Sequence, residues 1–165
     1  MIDNDAHIQW MKRALAEAEK ALELGETPVG AVIVKDGVII GRGCNRVETL
    51  KDPTAHAEII AIGAAAETTG YARLIDTTMY VTLEPCPMCA GAIVLARIPE
   101  LVYGAVDPKM GACGSMYDIC RDENLNHTVT VTTGVMEHEC SGILRDFFRS
   151  LREKKQSAAD NRLIE

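Results

Sequence analysis

No apolar run in the 165 residues approaches the ~20 consecutive residues that a transmembrane helix requires, so no membrane span is expected. The opening "MIDNDAHIQW" has no basic flank followed by an apolar core, so it does not read as a secretory signal. A cytoplasmic, reducing location is the expectation. No internal repeat and no linker divides the chain, which argues for one domain. No disulfide framework is needed either, because a domain of this size buries roughly 70% of its unfolded surface. The six cysteines are then thiols or ligands. Positive charge is not in excess: the formal net charge is −7, which weighs against broad, non-specific nucleic-acid binding.

The charge is unevenly spread. Residues 141–155, "SGILRDFFRSLREKK", hold five basic and two acidic side chains, whereas residues 1–26 hold three basic and six acidic. A basic patch on an acidic body suits a local RNA contact, and it equally suits a solvated helical face.

Hydrophobic spacing predicts a first helix with Ile8, Met11, Leu15, Ala18 and Leu22 on one face, stopped at Gly25. "VGAVIVKDGVIIGRG" reads as two strands joined at Asp36-Gly37. A second helix follows Pro53, with Thr54 as its capping candidate, and runs to Gly70. Residues 77–84 read as a strand, 87–98 as a helix, 101–106 and 127–135 as strands, and about 137–154 as a last helix. The order predicts an α/β fold, a mixed sheet with helices on both faces. Residues 1–155 form the expected domain and 156–165 a polar, frayed tail.

The stretch "TLEPCPMCAGAI" (82–93) carries the chemistry. Pro85 pushes Glu84 into an extended conformation, and Pro87 suits the first position of a helix. Cys86 then falls at the N-cap and Cys89 at the third helical position, so both sulfurs converge beyond the helix N-terminus, where the helix dipole favours thiolates. Taken alone, this geometry serves a redox pair, a structural metal clamp or a catalytic metal site. "TAHAE" (54–58) separates them. It puts His56 and Glu58 at the start of another helix, from which both reach forward. His56, Cys86 and Cys89 give three nitrogen and sulfur ligands with a carboxylate alongside, the pattern of a catalytic zinc with one open position. A structural clamp needs a fourth ligand, Cys44 or His127, and a redox pair has no use for His-x-Glu.

H-x-E followed by P-C-x-x-C is the signature of the zinc-dependent nucleoside and nucleobase deaminases. Over roughly residues 8–152 the chain resembles the bacterial tRNA-specific adenosine deaminases, in "PVGAVIV", "CNR", "DPTAHAE", "RLIDTTMYVTLEPC", "MCAGAIV", "RIPELVYGA", "DPKMGACGS", "NH" and "DFFRSLR". The resemblance implies a three-layer α/β/α cytidine-deaminase-like fold with a mixed five-stranded sheet. It also implies a homodimer with one catalytic Zn2+ per subunit, and a tRNA anticodon stem-loop as substrate, its wobble adenosine converted to inosine. Carried over, His56, Cys86 and Cys89 match the zinc ligands and Glu58 the proton shuttle. Asn45 matches a contact to the target nucleoside, and Asp107 and Asn126 match contacts to the flipped nucleotide or its neighbours. Phe147, Phe148 and Arg149 match the terminal helix that meets the anticodon loop. Pro87 is shared with free-base enzymes such as guanine deaminase, so a small-substrate nucleobase or nucleoside deaminase is the alternative. By residue type alone, Asp107 reads equally as a turn residue, and Cys44, Cys113 and Cys120 read as small buried side chains. Phe147 and Phe148 cannot share one side of a helix, which predicts one core ring and one surface ring able to stack on a base.

Overall fold

The alternation of apolar residues in the strands sorts them onto two faces of one sheet. The computed structural model describes residues 4–162. Its strands are β1 (Gly30–Lys35), β2 (Val38–Cys44), β3 (Thr78–Leu83), β4 (Glu100–Ala105) and β5 (Thr130–Thr133), and its helices are α1 (Asn4–Glu23), α2 (Val47–Leu50), α3 (Ala57–Thr69), α4 (Pro87–Leu95) and α5 (Glu137–Arg162). The strand order is β2-β1-β3-β4-β5. β1 pairs antiparallel with β2 and β3, while β4 runs parallel to β3 and β5, so the sheet is mixed. Ala31, Ile33, Met79, Val81, Leu101 and Tyr103 face one way, into a core shared with Ala57, Ala61 and Ala65 of α3 and Ala90, Ile93 and Val94 of α4. Val32, Val34, Tyr80 and Val102 face the other way, against Met11 and Ala14 of α1 and Cys140 of α5. This is the expected three-layer α/β/α fold, with the period of two setting which layer each strand residue meets.

The hairpin turns at Asp36 (φ 50°) and Gly37 (φ 72°), the pair of positive φ values that matches strand twist in a two-residue loop. α1 lies close on β1, because Gly30 has no Cβ to strike the backbone of Ala14 and Ala18. That approach leaves room only for small residues. Ala14 and Ala18 accordingly stand at the contact, in a buried stripe that also holds Met11 and Ala21, whereas Leu22, expected on the inner face, is 42% exposed. Gly41 and Gly43 do the same for α3: a Cβ on Gly43 would run into the Ala57 carbonyl.

Several elements differ from the sequence reading: β5 spans Thr130–Thr133 and not 127–135, and α4 ends at Leu95, short of 98. α3 is capped by His56, not Thr54; the Thr54 amide and hydroxyl instead bond the Asp52 carboxylate at 2.8 and 2.7 Å. The four-residue α2 was not foreseen. α5 continues past Lys154 to Arg162, so most of the segment expected to fray is helical. No helix among the described residues is long and apolar enough to cross a membrane.

Candidate metal centre and substrate cavity

Two helices begin at one point beyond the sheet. His56 is the N-cap of α3 and Cys86 the N-cap of α4, with Pro87 in the first turn. Both caps have extended φ/ψ and neither makes a side-chain capping bond, so the imidazole and the thiol are free to project forward. The Nδ1 atom of His56 lies 3.6 Å from Cys86 Sγ and 3.5 Å from Cys89 Sγ. All three ligand atoms fall within 4.8 Å of one another, a group able to hold a metal ion. Among the described residues, neither Cys44 nor His127 joins them; His127 Nε2 is engaged 2.8 Å from the Ile98 carbonyl.

Of the three ligand groups, Cys86 is the one poised as a thiolate. A hydrogen bond from Cys89 holds the Cys86 thiol well below its ordinary pKa, aided by His56, and the unpaired amides of the helix start favour the same charge. Cys89, which shares that bond, is pushed up, with burial adding to the effect. The hydrogen bond to Cys86 raises His56. Glu58, the second residue of α3, is only 4% exposed, and burial pushes its carboxyl up to about 7.

A cavity of about 530 Å³ opens in front of this cluster. Its lining includes His56, Glu58, Cys86, Asn45, Asp107, Met110, Phe147 and Phe148. The cavity lies at the carboxyl ends of the parallel strands β3 and β4, where open α/β sheets place their ligands. Cys89 sits behind it, fully buried. Asp107 lines the cavity, and its Oδ1 accepts the amides of Lys109 and Met110 at 3.0 and 3.1 Å, as a turn residue does. Neither phenylalanine belongs to the core. Their rings meet edge to face with centroids 5.3 Å apart, Phe148 is 45% exposed, and both line the cavity. Asn126 and Arg149 are exposed and lie outside its lining; Arg149 pairs with Asp146 at 3.0 Å.

Two buried carboxylates that sequence reasoning passed over hold the cavity walls. Glu26 accepts the Glu48 and Thr49 amides at 3.2 and 2.6 Å, the Thr49 hydroxyl at 2.7 Å and the Asn45 side-chain amide at 3.4 Å. It thereby supplies α2 with the cap that Arg46 does not. Burial pushes Glu26 up, but the Thr49 and Glu48 hydrogen bonds and the Arg46 charge bring it below its ordinary value. Glu84 accepts the amides of Asp107, Cys113 and Ser115 at 3.0, 3.1 and 3.0 Å, together with the Ser115 hydroxyl. Its signal in the sequence was an acid closing an apolar strand directly before Pro85-Cys86. Glu26 left none, since its partners lie about twenty residues downstream.

Fold and site together place the protein in the cytidine-deaminase-like class. Residues 5–152 match the MafB19-like deaminase family. A tRNA-specific adenosine deaminase of Bacillus subtilis is 50% identical over 152 residues, which cover 92% of this chain and 94% of the relative. The solved structure of a tRNA:A34 deaminase, described for A-to-I editing at the wobble position of transfer RNA, superposes with a TM-score of 0.80 at 48% identity, over 82% of this chain and 99% of that one. Guanine deaminase from Bacillus subtilis is 47% identical with a TM-score of 0.57, over 59% of this chain and 63% of that one. The chain belongs to the MafB19-like deaminase family, alongside the tRNA-specific adenosine deaminases.

Proposed function

We propose that the protein hydrolyses the exocyclic amine of the wobble adenosine in a tRNA anticodon, giving inosine and ammonia, in a zinc-dependent reaction. The observation that carries this reading is the joint presence, at one cavity, of a His/Cys/Cys ligand group, a buried carboxylate and two touching phenylalanine rings, Phe147 half-buried and Phe148 exposed. The residues fit zinc. Tetrahedral Zn–S and Zn–N bonds of about 2.3 and 2.0 Å put sulfur and nitrogen about 3.5 Å apart, and the observed separations are 3.6 and 3.5 Å. Three protein ligands leave one position for solvent, as catalytic sites do.

A zinc ion held there supplies Lewis acidity, which makes water a nucleophile at neutral pH. Glu58 would take one proton from the attacking water and pass it to N1 of adenine as the oxygen bonds to C6. It would then take the second proton from the new C6 hydroxyl and give it to the exocyclic amine as the C6–N bond breaks and ammonia leaves. The cavity admits one nucleoside and not a duplex, so the target base is splayed out of a loop. Asn45 orients that nucleoside, and Asp107 meets the flipped nucleotide. Phe147 and Phe148 offer ring faces to an unpaired base. On the exposed surface outside the cavity lining, Asn126 and Arg149 contact neighbouring nucleotides, and the arginine and lysine side chains of α5 meet backbone phosphates that the acidic body would repel.

The reading includes a homodimer working in the cytoplasm. The outer sides of α3 and α4 carry Ile59, Ile62, Gly63 and Ala66, and Met88, Ala92 and Leu95, with Leu95 80% exposed. Such an apolar face suits a second copy of the chain. Light scattering on the wild type and on Leu95→Glu checks this, with a dimer and a monomer expected.

Incubation with an anticodon stem-loop RNA followed by mass spectrometry for inosine tests the function. The likeness to guanine deaminase makes free guanine the control, read by ammonia release. Inosine in the RNA with no ammonia from guanine is expected; the reverse transfers the site to a free base.

A further inference from the structure

The two residues that precede the ligand Cys86 hold one distant loop. The carboxylate of Glu84 accepts the amides of Asp107, Cys113 and Ser115 and the hydroxyl of Ser115. The Pro85 carbonyl accepts the Ala112 amide at 2.8 Å. All of these donors belong to residues 107–115, the segment that brings Asp107 and Met110 to the cavity. Glu84 is 2% exposed, and among the described residues no ion pair involves it. Its acceptor capacity is therefore spent on that loop. The chain also makes room for this contact: at Gly111 a Cβ would run into the Glu84 carboxylate and lie 2.5 Å from the Asp107 carbonyl oxygen.

A buried acceptor that draws three amides and a hydroxyl from one loop fixes where that loop stands. Because Glu84 and Cys86 share one short turn, the loop's position is set relative to the ligand group itself. We propose that Glu84 is a positioning residue: it locks the 107–115 wall at the distance from the metal centre that the flipped nucleotide needs, with Ser115 as its main side-chain partner. This rests on the deaminase reading, and it assigns Glu84 an effect on substrate fit and none on proton transfer.

The test compares wild type, Glu84→Gln, Ser115→Ala and Ser115→Thr as full chains. It reads KM and kcat on anticodon stem-loop RNA, zinc per chain, and tryptic cleavage after the exposed Lys109. Glu84→Gln, which turns a donor towards donors, is expected to raise KM about tenfold or more, the weight of a charge-assisted hydrogen bond. In that variant kcat should change less, zinc should stay near one per chain, and cleavage after Lys109 should quicken. Ser115→Ala should do the same in smaller measure, and Ser115→Thr should restore wild-type behaviour by returning the hydroxyl. The proposal is overturned if KM and cleavage stay at wild-type values in Ser115→Ala and Glu84→Gln while only the melting temperature drops, or if Ser115→Thr is as impaired as Ser115→Ala. Should Glu84→Gln fail to fold, the two serine variants decide. If wild type makes no inosine, the reading of function fails, and the protease comparison still decides whether Glu84 fixes the loop.

Discussion

His56 and Cys89 are 33 residues apart and meet because two helices start at the same point. Asp107 reaches the same cavity because a carboxylate 23 residues upstream takes its amide. The floor of the cavity is thus built from local rules, in which a cap residue and a fixed spacing aim a side chain along a helix axis. The walls are built from long-range hydrogen bonds between buried acids and loop amides. The proposed function assigns chemistry to the floor and substrate fit to the walls, so damage to each should look different.

The largest expected effect is on the floor. His56→Ala or Cys86→Ala should lose the metal, seen by elemental analysis of purified protein, and inosine formation should disappear with it. Glu58→Ala should keep the metal and lose turnover by about 10²–10⁴-fold, the range of general acid–base catalysis. Single-turnover rates on stem-loop RNA check this, and full activity would remove Glu58 from the mechanism.

Between floor and walls lies Gly43, against which α3 rests. Gly43→Ala would push a methyl into the Ala57 carbonyl, next to the cap that carries His56. Overpacking of this kind costs about 1–3 kcal/mol, read as a lowered urea midpoint.

The mildest change concerns Glu26. Glu26→Gln should raise KM for RNA several-fold, with kcat moved less, because Asn45 and α2 lose their common acceptor. A pH signature accompanies it. The folded-state pKa of Glu26 lies below its ordinary 4.5, so its contribution to stability is present above that value and fades as pH falls through the folded-state pKa. The gap in urea midpoint between wild type and Glu26→Gln should therefore be full at pH 7 and shrink in acid. An unchanged gap would mean that Glu26 is held by packing alone.

The same contrast decides what was legible in the sequence. The strands, α1 and α5 were readable from their periodicity, α3 and α4 from the prolines and the Gly70 that bound them, and the cap geometry of Cys86 and Cys89 follows from two prolines. α2 was not readable, since four residues form no pattern and the acid that caps them sits far upstream. The face of α1 came out rotated towards Ala14 and Ala21 because close approach at Gly30, a tertiary fact, outweighed the pull of Leu22. Asn45, Asp107, Phe147 and Phe148 were named through family resemblance, and the structure places all four on the cavity. Glu26 was missed because a buried acid looks like any other acid until its donors are seen, whereas Glu84 was marked only by closing an apolar strand before Pro85.

The central claim is a metal held by one imidazole and two thiolates with a position left open. X-ray absorption at the zinc edge of the purified protein measures this most directly. The account predicts one zinc per chain with two sulfur neighbours at about 2.3 Å and two lighter ones at about 2.0 Å. Four sulfur neighbours, or zinc-free protein carrying a Cys86–Cys89 disulfide, would contradict it.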